Sequence, residues 1–160
     1  MRASGMIRPR RTNVDRQQFQ DWLYRYVEAW KTYDPEKIGA LFSEDAEYRY
    51  HPQDEAERGR NTIVSNWLEQ RDDPGTYDAQ YEPLAIDADG THIAHGWSRY
   101  FTAPGGEMRD EYWNIYVLRF NDAGECTNFT EYWIQNREMR KRAIDEIVRK
   151  RMEEAGQPAA

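Results

Sequence analysis

The sequence predicts an α+β fold: a cone-shaped barrel of strongly curved antiparallel sheet wrapped around N-terminal helices, with an extra C-terminal helix. Three observations predict it. Apolar residues recur in steps of three and four up to about residue 70. From Thr76 the spacing changes to two, and tight-turn sequences interrupt the alternation three times. A charged stretch near the end returns to helical spacing.

Thr12 or Asn13 is expected to cap a first helix running to about Thr32, with Phe19, Trp22, Leu23, Tyr26, Val27 and Trp30 as its buried stripe. Asp34-Pro35 places a proline after a capping residue and starts a short second helix to about Phe42. Ser43-Glu44-Asp45 reads as a turn and residues 46–51 as the opening strand. Tyr48 and Tyr50 share one face of it; Glu47, Arg49 and His51 share the other. Pro52 ends that ladder, and residues 53–58 read as a polar rim loop. Gly59 precedes a third helix bearing Ile63, Val64, Trp67 and Leu68, which Asp72-Asp73-Pro74-Gly75 breaks. Four strands follow over residues 77–87, 91–102, 107–121 and 126–135, the first an edge or bulged strand because it contains Pro83. Residues 137–154 form a helix with a narrow apolar stripe and i to i+4 charge pairs. The organisation is thus a disordered basic tail over 1–12, one domain over 13–136, a C-terminal helix over 137–155 and a short tail over 156–160.

At 160 residues the chain has the length of one domain with a real core. Its hydrophobic fraction of 39% is slightly low, and an aromatic content of 14% compensates, since Trp and Tyr bury large areas while keeping a polar handle. A net charge of −7 argues against nucleic acid and anionic membrane as partners. No apolar run is long enough to span a bilayer. Arg2, Arg8, Arg10 and Arg11 precede no apolar segment, so no secretory signal is expected. Cys126 is the single cysteine, which points to a reducing, cytoplasmic compartment. Neither cofactor nor metal is expected: there is no Gly-rich phosphate loop, and His51, His92 and His95 lack ligand spacing.

Several segments carry a resemblance to a known family. They are Arg25-Tyr26-Val27-Glu28-Ala29 followed by Asp34, Ala40-Leu41-Phe42 leading into Asp45-Ala46, a polar residue before Pro52, and Leu118-Arg119-Phe120-Asn121 followed by Ala123-Gly124. Their order and spacing from about Phe19 to Gln135 resemble the nuclear-transport-factor-2-like superfamily, in its SnoaL-like and ketosteroid-isomerase-like branch. The resemblance implies the cone fold and places Tyr26 as an oxyanion donor. It puts His51 where the isomerases carry a carboxylate base, and Tyr116 where they carry a protonated aspartate; the pKa logic of that enzyme is a known worked case. It also implies a homodimer through the back of the sheet, at Trp113, Ile115 and Val117.

If Tyr116 faces a pocket, period two brings Asp110, Tyr112 and Asn114 with it. The last strand then turns Phe129, Glu131 and Trp133 inward, and Tyr50, Trp67 and Trp97 complete the expected lining around a small apolar or aromatic molecule. His51 is the candidate general base, an imidazole at a strand end. Glu131 is the candidate buried acid, because desolvation raises a carboxyl and keeps it protonated. Arg99 is expected opposite Asp110 as a cross-strand ion pair. For each of these a structural role stands beside the chemical one: a rim histidine, a paired carboxylate, core tyrosines with satisfied hydroxyls. Three functions follow. One is a cofactor-free isomerase, cyclase or dehydratase moving a proton on a polycyclic or polyketide-like substrate. A second resembles limonene-type epoxide hydrolysis, with Arg99 between Asp110 and Glu131. The third is a non-catalytic ligand-binding or interaction module.

Overall fold

The computed structural model describes residues 14–156; the N-terminal tail and residues 157–160 lie outside them. Helix α1 spans Arg16–Thr32. Its cap is Asp15 and not Thr12 or Asn13: the Asp15 side chain accepts from the Gln18 backbone N–H while the Gln18 side chain accepts from the Asp15 N–H. The helix ends at Tyr33, whose φ of 47° is left-handed, an uncommon state for a residue with a Cβ. Helix α2 is shorter than expected, Pro35–Gly39, with Asp34 accepting from Glu36 and Lys37.

Phe42 instead opens strand β1, Phe42–Arg49. The turn expected at Ser43-Glu44-Asp45 lies within β1, as an irregular stretch between the Phe42 and Glu47 pairings with the distant last strand. The strand ends two residues early, so Tyr50 and His51 occupy the bend after it. Residues Glu57–Arg58, expected as loop, form a short strand β2 against β1. Helix α3 spans Arg60–Glu69 and buries Ile63 and Trp67. Strands β3 (Tyr77–Ile86), β4 (His92–Phe101), β5 (Met108–Phe120) and β6 (Cys126–Gln135) form the meander, and α4 follows at Arg137–Glu154.

The six strands make one curved, unclosed sheet in the order β2-β1-β6-β5-β4-β3. It is not antiparallel throughout: β1 runs parallel to β6, anchored where the Cys126 N–H donates to the Leu41 carbonyl at 2.8 Å. Strand β3 lies at the edge, with a bulge at Pro83/Ala85 where proline cannot serve the ladder. Helices α1 and α3 fill the concave side. There Phe129 stacks on Tyr48 at 4.4 Å and on Tyr26 at 5.5 Å, and Trp22 packs edge-on to Phe120 and Phe42. His92 is fully buried; its ring nitrogens face the carbonyls of Gly90 and Val14 and tie the start of α1 to the β3–β4 turn.

The convex face is different. Trp113 sits opposite Ile134 and Ile115 opposite Tyr132, and all four side chains are exposed. Helix α4 buries no residue; it is held at its start, where Asn136 donates from both backbone and side chain to Glu111.

Candidate functional site

Inside the cone, α1, α3, β1 and the four meander strands enclose a chamber of about 270 Å³. It opens through Tyr50, Gln70, Ser98, Tyr100 and Glu131 into a wider mouth of about 470 Å³. The strand period decides what lines it. On β5 Asn114 and Tyr116 point inward and Trp113 and Ile115 outward; on β4 the inward residues are Ser98 and Tyr100. Gly96 comes two residues before Ser98 on the same face; a Cβ there would collide with the Gln80 carbonyl oxygen and the Tyr81 ring, so its absence leaves room for Tyr81 in the wall.

Glu131 reaches the chamber from β6, directly across from Tyr116 in register. Among the described residues its carboxyl has no hydrogen bond and no ion pair. Burial alone pushes its pKa up to about 8. The surrounding phenols of Tyr26, Tyr48 and Tyr116 are raised well above 10, burial being the largest cause, so they remain protonated donors. The Tyr26 and Tyr48 hydroxyls are 2.9 Å apart. Asn114 Nδ2 donates to the Tyr81 hydroxyl at 2.9 Å and to Ser98 Oγ at 3.3 Å. On the opposite wall Asp72 Oδ2 accepts from Trp30 Nε1 and the Tyr33 hydroxyl, both at 3.1 Å, and the Asp72 N–H donates back to Tyr33 at 2.9 Å.

The sequence-predicted residues divide into four groups. Tyr26, Tyr50, Trp67, Asn114, Tyr116 and Glu131 line the inner chamber. His51, Asp110, Tyr112 and Trp133 stand at the mouth. There Trp133 Nε1 donates to His51 Nδ1 at 2.7 Å, and Asp110 accepts from Arg109 and Gln135. Phe129 is core, fully buried behind the tyrosines. Trp97 and Arg99 require correction: both project from the convex side of β4. A bulge at Tyr100/Phe101 sets the register one residue away from the expected one, so Arg99 faces Glu111 and not Asp110. Arg99 Nε donates to Glu111 at 2.8 Å, and its guanidinium lies 4.1 Å over the Trp97 ring. Asn136 and Arg99 hold Glu111 below the ordinary carboxylate range. An arginine flanked by Asp110 and Glu131 is therefore not assembled.

A family model of the SnoaL-like domain matches residues 23–129. The chain belongs to the SnoaL-like domain family. This places it in the nuclear-transport-factor-2-like superfamily, as the sequence resemblance implies. Two solved structures share the SnoaL-like fold. One is SalBIII, an epoxide hydrolase/cyclase-like enzyme with a role in pyran ring formation in the polyether salinomycin: TM-score 0.56, 16% identity, covering 75% of this chain and 93% of that one. The other is ActVI-ORFA from Streptomyces coelicolor: TM-score 0.54, 16% identity, covering 73% and 95%. At that identity the likeness is one of fold. No curated protein matches the chain.

Sequence reasoning missed several residues of this SnoaL-like chamber: Trp30, Tyr33, Asp72, Tyr81, Ser98 and Tyr100. Parity holds the signal for two of them, since facing Trp97 and Arg99 outward turns Ser98 and Tyr100 inward. Asp72 reads locally as a helix breaker, and nothing near it in sequence reveals its partners. Among the described residues no group of His, Cys, Asp and Glu is arranged to hold a metal.

Proposed function

We propose that this SnoaL-like protein is a cofactor-free enzyme of isomerase, cyclase or dehydratase type. It moves a proton on an oxygenated, largely apolar ring substrate, with Glu131 as the acid–base group. One observation carries the reading: a carboxyl that lines an aromatic chamber, has no partner among the described residues, and has a pKa pushed up to about 8. A carboxyl serving structure is normally paired. This one populates both forms near neutral pH, the condition for taking a proton from one atom and returning it to another. In this reading Glu131, inside the chamber, takes the base role rather than His51, which stands at the mouth with Trp133 Nε1 donating to its Nδ1. When Glu131 removes a proton next to a substrate carbonyl, charge develops on that oxygen. The protonated Tyr116 and Tyr26 hydroxyls are the donors on hand to stabilise it. The protonated carboxyl then returns the proton to carbon.

The test is deuterium exchange next to the carbonyl in a panel of polycyclic ketones, with wild type and Glu131→Gln side by side. Exchange in wild type should rise with pH and level off above about pH 8, as the ionised carboxylate accumulates. It should vanish in Glu131→Gln and persist in His51→Ala. Exchange that survives Glu131→Gln excludes Glu131 as the base. No exchange with any ketone favours a chamber that only binds.

We also infer that two copies associate through the convex sheet face. The exposed Trp113, Ile115, Tyr132 and Ile134, with the half-buried Val117, form a continuous apolar surface larger than scattered exposed side chains. Light scattering should give twice the chain mass in wild type and the single mass in Trp113→Arg; a wild-type monomer at micromolar concentration refutes it. A reducing, cytoplasmic location fits the single buried thiol of Cys126. Among the described residues no helix is long and apolar enough to cross a membrane.

A further inference from the structure

Helix α4 is 18 residues long and buries none of them. Ile144, Ile147 and Val148 are each about half exposed on one side of it, and Met152 extends that line by a turn. The opposite side is satisfied within the helix, where Lys150 pairs with Glu146 at 2.9 Å and Arg149 with Glu153 at 3.2 Å. The convex sheet is a second bare surface. Register aligns two rows across its four meander strands: Gln80, Trp97, Trp113 and Ile134 in one, Glu82, His95, Ile115 and Tyr132 in the next. The chain's own helix does not cover them, for Trp113 is 53% exposed and Ile134 72%. Yet α4 starts at their rim. Glu111, two residues before Trp113 on the same face, holds Asn136 by backbone and side chain, so the helix leaves the sheet beside the apolar rows. A long helix with one bare apolar side is normally packed against something.

We propose that two copies of this chain exchange their C-terminal helices: α4 of each lies, apolar side down, across the convex sheet face of the other. Dimensions match. The line from Ile144 to Met152 rises about 12 Å, and four strands span about 14 Å. Charge matches too. Helix α4 carries seven Lys and Arg against five Asp and Glu, in a chain with 22 against 29, so it is the part whose sign is opposite to the rest. Arg140, Lys141 and Arg151 flank its apolar side, and the second sheet row ends in Glu82, whose side chain is 65% exposed. The area suffices: a helix about 27 Å long and 10 Å wide, laid down twice and counted on both surfaces, buries about 1,100 Å², above the roughly 1,000 Å² of a specific interface. A two-fold axis makes the two contacts identical and closes the pair. The proposal rests on the convex face being where two copies meet, as inferred above, and it names the element that makes the contact.

Light scattering on the full chain tests it with two variants. Ile144→Glu with Ile147→Glu spoils the helix face and keeps the sheet; Trp113→Arg spoils the sheet and keeps the helix. All three side chains are exposed, so both variants should keep the wild-type circular dichroism. Ile134→Arg reads the sheet face again if Trp113→Arg does not fold. Where wild type has twice the chain mass, each variant alone should have the single mass. Mixing them should restore association, because the intact helix of one fits the intact sheet of the other. One contact of two remains, so with each protein raised about a hundredfold the mixture should be dimeric while neither variant alone is. A mixture that stays monomeric overturns the proposal. A helix variant that stays dimeric also overturns it and leaves the convex-face association standing, as sheet on sheet. Sheet variants that stay dimeric, or a wild-type monomer, overturn both.

Discussion

Replacing Glu131 by glutamine keeps the shape of the side chain and removes its charge. In the fold the carboxyl is pushed up to about 8 by burial, against 4.5 for an unperturbed glutamate. Between those values the folded chain holds a proton that the unfolded chain has released. Wild-type stability therefore falls as pH rises through that window, and the loss levels off above about pH 8. Each unit corresponds to about 1.4 kcal/mol, so the step from pH 5 to pH 8 amounts to about 4 kcal/mol at most. Water entering through the mouth lowers the effective penalty, leaving about 2–4 kcal/mol. The assay is urea unfolding of wild type and Glu131→Gln at pH 5 and pH 9 at equal ionic strength. All other groups titrate alike in the two proteins and cancel in the difference. At pH 5 the two should agree within about 1 kcal/mol, and at pH 9 the variant should be the more stable by about 2–4 kcal/mol. A difference that stays constant to within about 1 kcal/mol would refute the reasoning: Glu131 would then ionise as an ordinary carboxylate, with no reserve of the acid form near neutrality.

Gly96→Ala should destabilise by about 3 kcal/mol, read as a lowered thermal midpoint, because the new methyl meets backbone at Gln80 and the Tyr81 ring rather than a side chain able to swing away. Tyr26→Phe and Tyr48→Phe should each cost about 1–2 kcal/mol in urea unfolding, since each strands the other's buried hydroxyl. The double variant should cost less than the two together, and strict additivity would mean that the pair is not coupled. Arg99→Gln should leave ketone affinity unchanged and move acid unfolding to higher pH. Glu111 sits below its ordinary value, so its contribution is present above 4.5 and is lost as pH falls through the lowered value; without Arg99 that loss begins sooner.

Glu131 was legible before any coordinates: an acid among inward-facing aromatics on an alternating strand has one place to go. The ends of β6 and α4, the edge position of β3 and the inward set on β5 were equally legible, because side-chain period and turn chemistry are properties of neighbouring residues. What tertiary structure alone decided depends on residues far apart in the chain. The pairing of β1 with β6 on either side of Ser43-Glu44-Asp45 drew an expected turn into the strand as an irregular stretch, and His51 falls in the bend after β1, where Trp133 from another strand donates to it. A bulge at Tyr100/Phe101 shifted Arg99 from Asp110 to Glu111, and with it the choice of which face of β4 meets the chamber. Asp72 became a chamber residue only because α1 delivers Trp30 and Tyr33 to it. Local sequence thus determined which residues share a face. Which face is enclosed, and which buried polar atoms lack partners, was fixed by long-range strand pairing and by helices packed into the cone.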